Sequence, residues 1–291
     1  MFEGVSVAVV TPFSRGDLDE PALRRVVRHV LDQGVDGIVA TGSTGEGGTL
    51  SDEERVRVWR ACAEEATGRA FVLAGTGTPS TETTIRLSRR AKETGVDGCL
   101  VVAPAYAKPT PKGLLAHFLA VADAVDLPIV LYNIPGRTAV NVLPETIAIL
   151  ARHPRIVAVK ESSGSLDQAT EILTRCDITV LSGDDSLAIG HYAAGGKGLV
   201  SVAAHVAGRD LVRLDRAMRE GRLEEARAIH LRLYPLVRAL FLESNPAPVK
   251  AALSFLGLIE NELRLPLVPV SEGAAVRLRE EMTALGFLTG S

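Results

Sequence analysis

Lys160 ends the apolar run Ile156-Val157-Ala158-Val159-Lys160. Side chains alternate faces along a strand, so Ile156, Ala158 and Lys160 are expected on one face. If that face is buried, the ammonium is poorly solvated and the neutral amine is favoured. A neutral amine can attack a ketone and form a Schiff base. The same lysine could instead end its strand in solvent, as most lysines do. Tyr132 closes an earlier run. A phenol there can shuttle protons during carbinolamine formation and dehydration, or it can simply fill space. Ser43 and Thr44 sit in the glycine-flanked phrase Gly42-Ser43-Thr44-Gly45-Glu46. Their hydroxyls can pass protons or bind a carboxylate, although a plain turn would use the same residue types. Arg137 can grip a carboxylate with two parallel hydrogen bonds, or stand solvated in a loop.

Residues of this kind need a frame. Short runs rich in Val, Ile and Ala occur at 5–10, 37–41, 71–75, 99–103, 128–133, 156–160, 179–182 and 199–203. Their spacing of roughly 20–34 residues is that of a strand, a crossover helix and loops. Near-continuous apolar strands indicate burial on both faces, as in parallel sheets. The intervening segments 51–66, 79–94, 112–125 and 144–153 read as helices. Ser51 and Glu54 have capping-box spacing at the start of the first. Three intervals end in Gly34-Val35-Asp36-Gly37, Gly95-Val96-Asp97-Gly98 and Gly195-Gly196-Lys197-Gly198, a helix stop followed at once by a strand. Eight such units predict an α/β fold, a (β/α)8 TIM barrel, with an open doubly wound sheet as the alternative. Beyond about residue 208 the strand pattern stops. Segments 209–220, 222–241, 246–257 and 272–285 read as a C-terminal helical extension. The expected division is a catalytic barrel over 1–222 and a helical domain over 223–291. In such barrels the active site lies at the carboxyl ends of the strands, where Ser43, Thr44, Tyr132, Arg137 and Lys160 all fall.

Composition narrows the function. Hydrophobic residues make up 46% and charged residues 23% of 291, which excludes a disordered chain. Thirty-two basic against 35 acidic residues leave a net charge of −3, so no broad positive field exists for nucleic acid. Three scattered cysteines form neither a disulfide framework nor a CxxC metal knuckle, which suits a reducing cytosol. Glu3 and Pro12 argue against a signal peptide, and no apolar run approaches the ~18 residues of a membrane span. Gly42 to Gly48 lacks the lysine of a P-loop, and Gly75-Thr76-Gly77 lacks the third glycine of a dinucleotide fingerprint. The six histidines show no HxxxH pair, so no metal site is expected, and no Gly-x-Ser-x-Gly elbow is present.

Taken together, several phrases resemble one family along nearly the whole chain. They are Val10-Thr11-Pro12-Phe13, Gly42-Ser43-Thr44-Gly45-Glu46, Ala74-Gly75-Thr76-Gly77, Tyr132-Asn133-Ile134-Pro135-Gly136-Arg137-Thr138, Val159-Lys160-Glu161-Ser162, Leu181-Ser182-Gly183-Asp184-Asp185, Gly195-Gly196-Lys197-Gly198 and Ser244-Asn245-Pro246. The chain is similar to the class I pyruvate aldolases of the dihydrodipicolinate synthase / N-acetylneuraminate lyase family. The Tyr-Asn-x-Pro-x-Arg phrase, with a lysine some two dozen residues later, is its most specific part.

The resemblance implies a role for each residue. Lys160 would form a Schiff base with pyruvate, so no cofactor is needed. Tyr132 would be the central proton donor and acceptor. Ser43 and Tyr106 would complete the relay, with Tyr106 reaching in from a neighbouring subunit of a homotetramer, a dimer of dimers. Thr44 and the backbone at Val200 would hold the pyruvyl group, with Gly183 and Asn245 as further substrate contacts. Arg137 would bind the carboxylate of the aldehyde partner. Lyases of N-acetylneuraminate generally lack that arginine, so the implied aldehyde is aspartate semialdehyde. The reaction would be a cytoplasmic step toward lysine and diaminopimelate. Aldolases of keto-deoxy sugar acids or 4-hydroxy-2-oxoglutarate are the alternatives within the family, and a non-catalytic binding barrel is the alternative outside it.

The chain departs from the family pattern at Ser43, usually threonine, at His205, usually asparagine, and at Ala105, often a second tyrosine. Lysine-inhibited members bind lysine near that tyrosine. The matching positions here are Gly47, Gly48, Asp52, Arg55, Pro79 and Thr83. Arg55 would repel an ammonium, and Thr83 stands where a carboxylate is usual. Feedback by lysine is therefore expected to be weak or absent. Initial rates over a millimolar lysine series check this; half-inhibition well below a millimolar would contradict it.

Overall fold

The apolar runs pair side by side in chain order and close on themselves in the computed structural model, which describes residues 1–289. The strands are β1 (Gly4–Ala8), β2 (Gly37–Ala40), β3 (Phe71–Gly75), β4 (Gly98–Val102), β5 (Ile129–Asn133), β6 (Ile156–Glu161), β7 (Thr179–Ser182) and β8 (Gly198–Ser201). All are parallel, and β1 meets both β2 and β8. This is the predicted (β/α)8 barrel. A small antiparallel ribbon, Phe13–Ser14 against Asp17–Leu18, lies between β1 and the first helix.

The helices are α1 (Glu20–Leu31), α2 (Asp52–Ala66), α3 (Thr81–Lys92), α4 (Pro111–Ala124), α5 (Pro144–Leu150), α6 (Leu166–Arg175), α7 (Ala188–Ala194) and α8 (Ala204–Arg219). Then come α9 (Leu223–Ala239), α10 (Ala247–Phe255) and α11 (Glu272–Ala284), which pack on one another and on α8. The capping box at α2 forms as the spacing predicts. Ser51 Oγ accepts from the Glu54 N–H, and the Glu54 carboxylate accepts from the Ser51 N–H at 2.8 Å. Such a cap contributes about 1 kcal/mol. Helix α8 begins earlier than the pattern suggested. Ser201 Oγ caps the Ala204 N–H, and a kink at Ala207 (φ −113°, ψ 34°) separates this first turn from the regular helix.

Two apolar layers result. Ala8, Val39, Leu73, Leu100, Val130, Tyr132, Ala158, Leu181 and Val200 fill the barrel, with Phe2 among them. The outer layer lies between strands and helices. One assignment changes. Ile129 pairs with Ile156, but Val130 pairs with Ala158, so β6 carries an extra residue there. The bulge turns Ile156 into the outer layer, while Ala158 stays inside. Lys160, two residues beyond Ala158, still points inward.

His205, unexplained by sequence, lies at the closing seam. It is fully buried. The Val10 N–H donates to its Nε2 at 3.2 Å, and its Nδ1 lies 2.9 Å from the Val202 carbonyl. These partners assign the proton to Nδ1 and join the end of β1 to the end of β8. Burial pushes the imidazole down to about 4. An unfolded histidine titrates near ~6.5, so between these values only the unfolded chain binds the proton. Stability must therefore fall as pH drops through that window. Denaturation at about pH 7 and about pH 5 should show the wild type losing ~2 kcal/mol more than His205→Asn. Equal losses in the two proteins would contradict the assignment.

Candidate active site

Lys160 and Tyr132 are register partners at the carboxyl ends of β6 and β5. Both are buried, at 6% and 4% exposure. Lys160 Nζ lies 4.2 Å from the centroid of the Tyr132 ring. A cation over an aromatic face is attracted by the ring quadrupole, but the ring does not neutralise it. Buried Lys250 pairs with Glu46; Lys160 forms no ion pair among the described residues. The next residue, Glu161, turns outward and anchors the strand end. Its carboxylate accepts from Asn133 Nδ2 at 3.0 Å, Gln168 Nε2 at 3.1 Å and the Ser163 N–H at 2.6 Å.

The end of β7 leaves room for the lysine stem. A Cβ on Gly183 would fall onto Ser162 Oγ and come within 2.8 Å of Lys160 Cε. Ser162 Oγ is itself buried and unpartnered among the described residues. Asp184 follows. Burial raises its carboxyl to about 6 against the opposing pull of Lys160, with Asp185 and Glu161 raising it further. Asp185 is fully enclosed and structural. It accepts from Ser201 Oγ and from the Val202 N–H at 2.9 Å, which fixes the end of β8 near Val200.

The loop after β2 supplies the hydroxyls. Thr41 adopts a left-handed backbone (φ 55°), and its Oγ1 accepts from buried Trp59 Nε1 at 2.6 Å and donates to the Gly75 carbonyl at 3.0 Å. The loop folds so tightly that a Cβ on Gly47 would fall onto the Thr41 carbonyl oxygen. Ser43 and Tyr132 line a cavity of about 310 Å³ with Thr41, Leu100, Val102 and Arg55. Lys160 is not part of that lining; it meets the cavity's wall at the Tyr132 ring. Buried Arg55 also donates to the Gly47 carbonyl.

Thr44 joins a second chain of contacts. Asn245 Nδ2 donates to Thr44 Oγ1 at 2.9 Å, and Arg137 Nη2 donates to the Asn245 carbonyl at 3.0 Å. Asn245 Oδ1 is buried and lacks a donor among the described residues. Lys160 and Tyr132 thus meet, Thr44, Asn245 and Arg137 meet, Gly183 borders Lys160, and Val200 lies in the same inner layer as Tyr132. Tyr106 does not join them within one chain. It is 95% exposed on a left-handed turn (φ 70°), with its N–H on the Thr138 carbonyl at 3.3 Å.

Ser162 and Asp184 stood in phrases the sequence singled out but carried no assigned role there, and Lys250 escaped the sequence reading altogether. Lys250 carried a signal, as the lone charge in the apolar segment Ala247–Phe255.

The chain is similar to known proteins along nearly its whole length. A family model described as the dihydrodipicolinate synthetase family matches residues 1–285. A 4-hydroxy-tetrahydrodipicolinate synthase of Pelobacter propionicus is 48% identical over 290 residues, covering 99% of this chain and 100% of the relative. One of Citrifermentans bemidjiense is 49% identical over 280 residues, covering 96% and 97%. The crystal structure of dihydrodipicolinate synthase from Aquifex aeolicus superposes with a TM-score of 0.97 at 44% identity, covering 99% of this chain and 100% of that one.

The space at Gly183 makes a specific demand. Gly183→Ala should displace the Lys160 stem in a crystal structure of the variant and cost ~1–3 kcal/mol of unfolding free energy. An unmoved lysine at unchanged stability would show that the gap is not needed.

Proposed function

The chain belongs to the dihydrodipicolinate synthetase family, and from that premise we infer that its reaction is the condensation of pyruvate with aspartate semialdehyde to 4-hydroxy-tetrahydrodipicolinate, a lyase-class step in lysine and diaminopimelate biosynthesis. The observation that carries the reading is the buried Lys160 amine 4.2 Å from the centre of the Tyr132 ring at the carboxyl end of a closed barrel.

Lys160 Nζ attacks C2 of pyruvate, and the carbinolamine loses water to give an iminium ion. The iminium draws electrons from the methyl carbon, which loses a proton and becomes the enamine nucleophile. That carbon attacks the aldehyde of the second substrate, and the alkoxide formed takes up a proton. The substrate's own amine then attacks the iminium carbon, closes the ring and frees Lys160. The sum is two substrates giving the cyclic product and one water, with no net oxidation. The chemistry therefore calls for no redox cofactor; the lysine supplies the electron sink.

Proton movements fall to Tyr132, with Ser43 and Tyr106 completing the relay. Thr44 Oγ1 already accepts from Asn245, which leaves its own hydrogen free to donate to the pyruvate carboxylate. The backbone at Val200 borders the same carboxylate. The orphan acceptor Asn245 Oδ1 suits the ammonium of aspartate semialdehyde, and Gly183, beside the Lys160 stem, is a further substrate contact. Arg137, exposed and with only one N–H spent on Asn245, suits its carboxylate. Tyr106 acts in a partner's site within a homotetramer, and its full exposure in one chain supports a role outside that chain. No helix of the described residues is long and apolar enough to cross a membrane, and we assign the enzyme to the cytoplasm with its small soluble substrates.

Arg137→Ala tests the choice of aldehyde. Loss of a charge-assisted pair of ~3 kcal/mol should lower kcat/KM for aspartate semialdehyde on the order of 100-fold, with kcat/KM for pyruvate unchanged. An undiminished rate with the aldehyde would reject the role of Arg137. Faster turnover of a keto-deoxy sugar acid by the wild type would reject the substrate.

A further inference from the structure

The hydroxyls of Ser43 and Thr44 hang on a loop bracketed by two non-glycine residues in the left-handed region, Thr41 (φ 55°) and Glu46 (φ 48°). Such residues persist only where their surroundings over-determine them. Trp59 of α2 and the Gly75 carbonyl at the end of β3 hold Thr41. Glu46 is held by the C-terminal part of the chain. Its carboxylate pairs with Lys250 of α10, both side chains being wholly buried, and accepts from the Arg264 N–H at 3.0 Å.

Lys250 is itself fixed on every side. Nζ donates to the Glu262 carbonyl at 2.8 Å and lies 4.2 Å from the centroid of the Phe13 ring. The Arg264 guanidinium lies 4.3 Å from the same ring and pairs with Glu54 of α2 at 2.6 Å. One C-terminal stretch thus grips the loop twice, through Asn245 on Thr44 and through Lys250 and Arg264 on Glu46. Taking two charges out of water is costly, and apolar replacement of a whole buried pair is often neutral or stabilising. What an ion pair offers beyond an apolar contact is a directional hold on one loop conformation.

We propose that Lys250 is a positioning residue of this enzyme: through Glu46 it sets the loop that aims the Ser43 and Thr44 hydroxyls at pyruvate. Lys250 touches neither substrate nor Lys160, so its effect is entirely on geometry. The proposal rests on the reading of Ser43 and Thr44 given above.

Three variants test it: Lys250→Met, Glu46→Gln and the double variant Glu46→Gln/Lys250→Met. The double variant removes both charges and leaves none unpaired, while the glutamine can still accept from the Arg264 N–H. Lys250→Met strands a buried carboxylate and is expected to lower kcat/KM for pyruvate on the order of 100-fold. The double variant is expected to melt near the wild-type temperature and still show most of that loss. Lys250→Arg should recover part of it. Return of full pyruvate kcat/KM together with stability in the double variant would overturn the proposal, since a merely structural pair behaves that way. If Lys250→Met fails to fold, Glu46→Gln and the double variant carry the test. Either one folded and at wild-type kcat/KM also overturns it. Borohydride trapping of pyruvate on the wild type separates the two levels. No adduct there means that the underlying reading has failed. A normal adduct together with fully active variants means that only this inference has.

Discussion

Lys160 and Tyr132 face one another because neighbouring parallel strands hold their residues in register. Everything else at the site depends on that pairing. The barrel interior below is filled by Val130, Ala158, Leu181 and Val200, so the amine cannot retreat downward. Gly183 leaves its stem a channel, and the aromatic face of Tyr132 takes the place of a carboxylate. Lys160 is enclosed without a direct ion pair among the described residues, with Asp184 the carboxylate that feels its charge, whereas Lys250 is paired directly with Glu46. The two buried lysines thus show one residue type in two uses. Lys250 is locked into an ion-paired network; Lys160 stands beside a phenol without an ion pair, the arrangement that the proposed Schiff-base chemistry uses.

The second feature of the molecule is the way its C-terminal helices complete a barrel site. Asn245, Lys250 and Arg264 all reach the loop after β2. Arg137, on the turn after β5, reaches Asn245 in the same region. Chain segments some two hundred residues apart therefore share one polar seam over the barrel mouth. The seam leaves two polar functions unspent, the hydroxyl hydrogen of Thr44 and the side-chain Oδ1 of Asn245, and they face opposite needs. One suits an anionic group and the other a cationic one, as a keto acid and an amino aldehyde require.

Much of this was legible in the sequence, for physical reasons. Parallel strands buried on both faces show as plain apolar runs, and eight of them, each separated by room for a crossover helix, define the barrel. The two-residue period brought Lys160 inside correctly. It misplaced Ile156, because a bulge at Val157 leaves no mark in a pattern of uniformly apolar residues. His205 could not be read, since its partners at Val10 and Val202 are backbone groups brought together only when the barrel closes. The start of α8 was missed because Ala204 to Ala207 carry no amphipathic signal; the turn is fixed instead by Asp185 on the Ala203 N–H and Ser201 on the Ala204 N–H. Thr44 and Arg137 were candidates by residue type and Asn245 by resemblance, but their contact was not foreseen, because long-range hydrogen bonds have no local signature.

The central claim concerns a covalent bond, and a crystal of the enzyme grown or soaked with pyruvate examines it most directly. The account predicts continuous electron density from Lys160 Nζ to C2 of the pyruvyl group, with its carboxylate on Thr44 and Tyr132 beside the new bond. Pyruvate held without a bond to that nitrogen, or bonded to a different lysine, would contradict it.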